Sequence, residues 1–176
     1  MILIGYRGTG KTTVASILSE RLSIPAFDSD KEIERKAGKS IAEIFSFHGE
    51  SGFRDIEELV IADLLAIKTP IILASGGGAI LRETTRNKFR EIGNVVWLQA
   101  SPETVLKRIQ ADTATQTMRP NLTSLLPLEE IDLLIEKRKP FYEQTATIAI
   151  NTDNLSPTQI ADKCENLIMN DNNRTY

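Results

Sequence analysis

The chain has 176 residues, of which 41% are apolar and 26% charged, and its formal net charge is −3. That length suits one domain over residues 1–176 with a sizeable core. A weakly acidic chain lacks the basic footprint of a nucleic-acid binder, and no apolar stretch approaches the ~20 residues of a membrane span.

The chain starts in an apolar run with no basic, apolar and small-residue targeting pattern, so a cytoplasmic location is expected. The one cysteine, Cys164, excludes an intramolecular disulfide and shares helical spacing with Ile160, Leu167 and Ile168, which marks it as core. His48 is the one histidine, so neither a histidine-based metal site nor a Ser-His triad has its parts.

Residues 1–4 read as a strand that feeds directly into Gly5-Tyr6-Arg7-Gly8-Thr9-Gly10-Lys11-Thr12, a complete G-x-x-x-x-G-K-[ST] phosphate-binding loop. Val14, Ile17, Leu18 and Leu22 then form one helical stripe. A loop between strand and helix turns successive N–H groups toward phosphate oxygens, and the helix start adds partial positive charge. Lys11 is expected to stand in solvent until it meets the β- and γ-phosphates, and Thr12 to ligate Mg²⁺. A nucleoside triphosphate is the expected ligand.

A second strand over residues 25–28 ends in Asp28-Ser29-Asp30, which delivers two carboxylates toward the phosphate loop. Asp30 also reads as the cap of the helix that follows. Ser40 with Glu43 is a capping-box pattern that opens a helix over residues 40–47, and a second apolar stripe follows over residues 49–65. Within it, Phe53-Arg54-Asp55-Ile56-Glu57 puts Arg54 and Glu57 on one helical face, an exposed ion pair on the plainest reading. Glu43, Glu50 and Glu58 read as surface charges. A third strand over residues 71–74 leads to Ser75-Gly76-Gly77-Gly78, a stretch stripped of side chains where a ligand can approach the backbone.

Strands over residues 95–99 and 147–150 complete the set, and Ser101-Pro102 and Ser156 with Gln159 mark helix starts. Trp97 lies in a strand and reads as core. Residues 111–124, rich in Thr and Asn, fit no element and are a candidate lid. Short apolar runs alternating with amphipathic helices define an α/β fold, and ligands of open parallel sheets gather at the strands' carboxyl ends.

Taken together, these motifs resemble the shikimate kinase family along nearly the whole chain. The resemblance is carried by the loop from Gly5 to Thr12, by Asp28-Ser29-Asp30, by Phe53-Arg54 with Glu57, by Gly76-Gly77-Gly78, by Arg119-Pro120, and by Arg138 with Pro140 and Tyr142. It implies a three-layer P-loop kinase fold of the nucleoside monophosphate kinase group, with a five-stranded parallel sheet in order 2-3-1-4-5. It also implies the Mg²⁺-dependent transfer of the ATP γ-phosphate to the 3-hydroxyl of shikimate.

By the same resemblance Gly8, Thr9, Gly10, Lys11, Thr12, Thr13 and Arg119 bind the nucleotide, and Thr12 and Asp28 hold Mg²⁺. Asp30, Arg54, Gly76, Gly77, Gly78 and Arg138 bind shikimate, the two arginines at its carboxylate. Lys11, Asp30 and Arg119 act on the reacting groups, Glu57 holds Arg54 in place, and Tyr142 packs. The lid departs from the family pattern, reading Arg119-Pro120-Asn121-Leu122 where R-P-L-L is usual. The residues flanking adenine stay open, with Arg108 and Pro157 as candidates. A monomer acting on shikimate and ATP is expected, with no nucleic-acid or membrane partner. The rival readings are a related small-molecule kinase such as a gluconate kinase and a non-catalytic nucleotide-binding module.

Overall fold

The computed structural model describes residues 1–111 and 127–172, with side chains to 168. Five strands form one parallel sheet: β1 (Ile2–Ile4), β2 (Ala26–Asp28), β3 (Ile72–Ala74), β4 (Val95–Gln99) and β5 (Ile148–Asn151). Their order across the sheet is β2-β3-β1-β4-β5, and every pair is parallel. The expected strands therefore all form, each boundary within one residue of the sequence reading.

The helices are α1 (Lys11–Leu22), α2 (Ser29–Ala37), α3 (Ile41–Leu65), α4 (Glu83–Ile92), α5 (Pro102–Ala111), α6 (Pro127–Thr145) and α7 (Pro157–Asn172), with a 3₁₀ turn at Ala79–Leu81. The central strands β1, β3 and β4 are apolar runs because both faces of the sheet are covered there.

Alternation sorts their side chains into two cores. Ile2, Ile4, Leu73, Val95 and Trp97 face Phe53 and Val60 of α3, Phe89 of α4 and Tyr142 of α6. Leu3, Ile72, Ala74, Val96 and Leu98 face Val14 and Leu18 of α1 and Ile160 and Cys164 of α7. Cys164 is fully buried, and burial pushes its thiol pKa up to about 12. A third cluster joins Tyr6 after β1 to Val105 of α5 and Ile131 of α6.

Local signals set the helix starts. Ser40 Oγ accepts the Glu43 N–H while Glu43 accepts the Ser40 N–H at 2.7 Å, a reciprocal capping box whose hydrogen bonds hold the Glu43 carboxyl below its ordinary pKa. Ser156 and Gln159 repeat the arrangement before α7. The run Ile41–Leu65 breaks at Gly49 (φ 65°, ψ −175°), so the two stripes read from the sequence are two helical halves. Glu34 Oε1 accepts the Ile41 N–H at 2.9 Å, and a Lys36–Asp63 ion pair further ties α2 to α3.

Candidate functional site

Three chain segments meet at the carboxyl ends of β1, β2 and β3, around a cavity of about 370 Å³ lined by Lys11, Thr12, Asp28, Asp30, Gly76 and Gly77 among others. The phosphate loop leaves β1 and closes on Gly10, which takes φ 91° as the N-cap of α1. Gly8, Gly10, Lys11, Thr12 and Thr13 all line the cavity. Thr9 does not: it is buried, and its Oγ1 donates to the Tyr6 carbonyl at 2.8 Å, bracing the loop from inside.

Lys11 departs from the expectation of a solvated side chain. It is only 8% exposed, and its Nζ donates to the carbonyls of Gly5 and Tyr6, each at 2.8 Å. The loop thus supplies acceptors to the ammonium before any phosphate does. Arg108 supports the loop from α5, donating to Gly8 O at 3.4 Å and to Thr152 O at 2.7 Å. Arg108 also lines the cavity.

The Asp-Ser-Asp segment divides its work differently from the sequence reading. Asp28, not Asp30, caps α2: its Oδ1 accepts the N–H groups of Asp30 at 2.9 Å and Lys31 at 3.4 Å. Its Oδ2 accepts from Thr12 Oγ1 at 2.6 Å. The physical reason is that β2 ends at Asp28, so the last extended residue takes the cap and Asp30 falls in the first turn of α2. Ser29 between them is buried, and its Oγ accepts the Gly76 N–H at 2.7 Å.

The glycine triplet is a close-packed junction. A Cβ on Gly76 would lie 2.6 Å from Asp30 Oδ1 and 2.8 Å from Glu57 Oε1. On Gly78 it would overlap the guanidinium of Arg54, 2.6 Å from Nη1 and 2.7 Å from Cζ. Only main chain fits where these polar groups converge.

Arg54 and Glu57 are both buried, joined by a 2.6 Å bond from Nη1 to Oε2, so the pair is internal and not the exposed one that spacing alone suggests. Glu50, read as a surface charge, adds a 3.3 Å contact to Arg54 Nη2 from a largely exposed position. Among the described residues Arg54 Nε has no acceptor. Arg138 of α6 is buried as well and donates from Nη1 to Gly77 O at 3.3 Å. The structure therefore brings Arg54 and Arg138 to adjacent glycines, behind the phosphate-loop cavity.

Arg119 and residues 112–124 of the candidate lid lie outside the described residues. Two further residues do more than the sequence reading assigned them. Arg7 lines the cavity beside the loop, with its guanidinium 5.9 Å from the Tyr6 ring centroid and its Nε without an acceptor among the described residues. Its signal was in view, a basic residue inside a phosphate loop. Tyr142, read as packing, donates its hydroxyl to Gly77 O at 2.8 Å. Its spacing of four from Arg138 on one helix was the available clue.

A parallel sheet in this order, with a lysine-bearing phosphate loop leaving its central strand, defines a P-loop kinase. Residues 7–169 match the family model described as shikimate kinase. A shikimate kinase of Rhodopirellula baltica is 40% identical over 160 residues, covering 91% of this chain and 85% of the relative. The chain belongs to the shikimate kinase family.

Among solved structures, a shikimate kinase of Acinetobacter baumannii in complex with shikimate superposes with a TM-score of 0.88 at 36% identity, covering 97% of this chain and 92% of that one. A gluconokinase from Sinorhizobium meliloti matches at 17% identity with a TM-score of 0.65, covering 99% and 97% of the two chains, which is a likeness of fold alone.

Proposed function

We propose that this chain transfers the γ-phosphate of ATP to the 3-hydroxyl of shikimate, giving ADP and shikimate 3-phosphate. The observation that carries the proposal is the placement of two buried arginines, Arg54 and Arg138, on the glycine triplet immediately beside a phosphate loop. Planar guanidinium groups offer paired donors to a carboxylate, and shikimate is a carboxylate bearing three hydroxyls.

In this reading the loop N–H groups and Lys11 hold the β- and γ-phosphates, Lys11 exchanging its two carbonyl acceptors for phosphate oxygens. Asp30 receives the acceptor hydroxyls and takes the proton of the attacking one. Gly77 and Gly78 meet the substrate through their N–H groups, and Arg119 completes the phosphate site. Phosphoryl transfer spreads charge over the transferring group, so fixed positive groups and positioning are nearly all the protein has to supply.

The donor set suits Mg²⁺. Thr12 Oγ1 and Asp28 Oδ2 form a pair of hard oxygen donors beside the loop. Mg²⁺ is commonly held by one or two protein oxygens together with water and phosphate. When bound, Mg²⁺ neutralises phosphate charge. Thr12 and Asp28 are the residues that would hold it.

We read residues 1–176 as one kinase domain acting as a cytoplasmic monomer. The test is a coupled ADP-release assay with shikimate, quinate and gluconate side by side. Turnover with shikimate well above the other two is expected. Preference for gluconate would overturn the acceptor assignment, and no turnover with any acceptor would favour a nucleotide-binding module.

A further inference from the structure

Tyr142 lies 65 residues from the glycine triplet in sequence, is buried, and sends its hydroxyl to the Gly77 carbonyl at 2.8 Å. Arg138, one turn earlier on α6, sends Nη1 to the same oxygen at 3.3 Å. The Gly77 carbonyl therefore has two donors on one helix, the shorter of them from a residue that carries no charge. The Tyr142 ring also stacks on Trp97 of β4, with centroids 5.3 Å apart and planes 18° from parallel.

This arrangement has a stereochemical consequence. The peptide joining Gly77 to Gly78 is trans, so the Gly77 C=O and the Gly78 N–H point in opposite directions. With the carbonyl drawn toward α6, the Gly78 N–H is turned away from α6. Neither Gly77 nor Gly78 gives its N–H to an acceptor among the described residues, whereas the Gly76 N–H is already taken by Ser29. Glycines have no side chain to set the peptide's rotation, so the rotation has to be set from outside.

We infer that Tyr142 is a positioning residue for the acceptor site: its hydroxyl fixes the rotation of the Gly77–Gly78 peptide, and thereby aims the Gly78 N–H at the bound acceptor. The same bond relieves Arg138. Without the tyrosine hydroxyl, Arg138 is the remaining described donor to Gly77 O, and that claim competes with the substrate carboxylate for the same guanidinium. The inference rests on the reading of this site as the shikimate site, and the two are tested separately.

Turnover of shikimate by the wild-type enzyme tests the site reading and is measured first; its absence overturns the acceptor assignment and this inference with it. In an enzyme that turns shikimate over, Tyr142→Phe keeps the ring and its stacking but removes the donor. The expected result is a KM for shikimate raised about 3- to 10-fold, the range of one neutral hydrogen bond, with KM for ATP within about twofold of wild type. Trp97→Phe weakens the stacking and leaves the hydroxyl in place, so it should lower Tm while leaving the shikimate KM near wild type.

An unchanged shikimate KM in Tyr142→Phe, or an equal rise in Trp97→Phe, would show that Tyr142 only packs. A measurement on the wild type keeps the idea testable even if the variants fold poorly. In an amide-correlation NMR titration, the Gly78 N–H resonance should move on saturation with shikimate. A Gly78 resonance that stays in place overturns the inference.

Discussion

Thr12 Oγ1 donates to Asp28 Oδ2 across 2.6 Å, and this bond ties the first turn of α1 to the end of β2. Asp28 uses its other oxygen to cap α2, so one carboxylate serves two elements and, in the proposed reading, a metal. Asp28→Ala should therefore lose the cap, about 0.5–2 kcal/mol of stability, together with Mg²⁺-dependent turnover. Asp28→Asn caps as well as aspartate but lacks the charge. Its Tm should stay near wild type while the Mg²⁺ concentration for half-maximal activity rises. Thermal melts and a Mg²⁺ titration check both, and a normal Mg²⁺ requirement in the asparagine variant removes Asp28 from the metal site.

Asp30 stands apart from that bond, its carboxylate against Gly76. Asp30→Asn retains size but not basicity, and kcat should fall by about 10²-fold or more with ATP affinity nearly unchanged. Nucleotide binding by calorimetry, set beside steady-state rates, separates the two effects. Equal loss of both would exchange the roles assigned to Asp28 and Asp30.

Lys11→Ala should abolish measurable turnover, because in the proposed reading its ammonium acts on the charge that develops on the transferring phosphate. The internal position of Lys11 adds a second expectation. The Tyr6 carbonyl keeps its 2.8 Å bond from Thr9 Oγ1, but the Gly5 carbonyl loses its charged donor, and a buried acceptor left unmet costs about 1–3 kcal/mol. The variant should thus melt several degrees lower than wild type, and a wild-type Tm would mean that water replaces the ammonium without penalty. Activity above about a tenth of wild-type kcat, a loss under about 1.4 kcal/mol, would reject the assigned role.

The two acidic partners of Arg54 should behave very differently. Glu57→Ala strands a buried guanidinium and should cost about 3–5 kcal/mol, whereas Glu50→Ala removes a longer, largely exposed contact worth under about 1 kcal/mol. Chemical denaturation reads the difference. Arg54→Lys keeps the charge yet loses the planar fork, so KM for shikimate should rise several-fold with KM for ATP near wild type. Arg138→Ala should raise it about 10- to 100-fold.

Cys164 offers a pH test that is independent of the site. Burial raises its folded pKa from 9.0 to about 12, so the unfolded chain gives up this proton first as pH climbs. Its contribution to stability is complete below about pH 9 and is lost between there and pH 12. Cys164→Ala should flatten that part of the stability profile, and the native thiol should resist alkylation at pH 8 until denaturant is added. Rapid modification of the native protein would contradict its burial.

The strands, the capping boxes and the phosphate loop were legible because each is written in neighbouring residues: an apolar run, a serine three before a glutamate or glutamine, a glycine pair before a lysine. What was not legible depended on distant partners. Whether Asp28 or Asp30 caps α2 turns on where β2 leaves the sheet, which pairing with β3 decides. The burial of Arg54 with Glu57 follows from α3 packing beneath the glycine triplet, which an i, i+3 spacing cannot reveal. The bond from Tyr142 to Gly77 spans 65 residues, and the spacing of four between Arg138 and Tyr142 hints at a shared helix face without naming the carbonyl that they reach.

The glycine triplet bears on how such a binding surface can change over time. Because side chains at Gly76 and Gly78 would collide with Asp30, Glu57 and Arg54, mutation cannot readily reshape that wall without disturbing the charged groups behind it. Drift toward a new acceptor has to proceed through the arginines or through segments elsewhere around the ligand. For the same reason, an inhibitor that takes its hydrogen bonds from this stretch of main chain would leave few routes to resistance, since the atoms it grips belong to no side chain that substitution can remove.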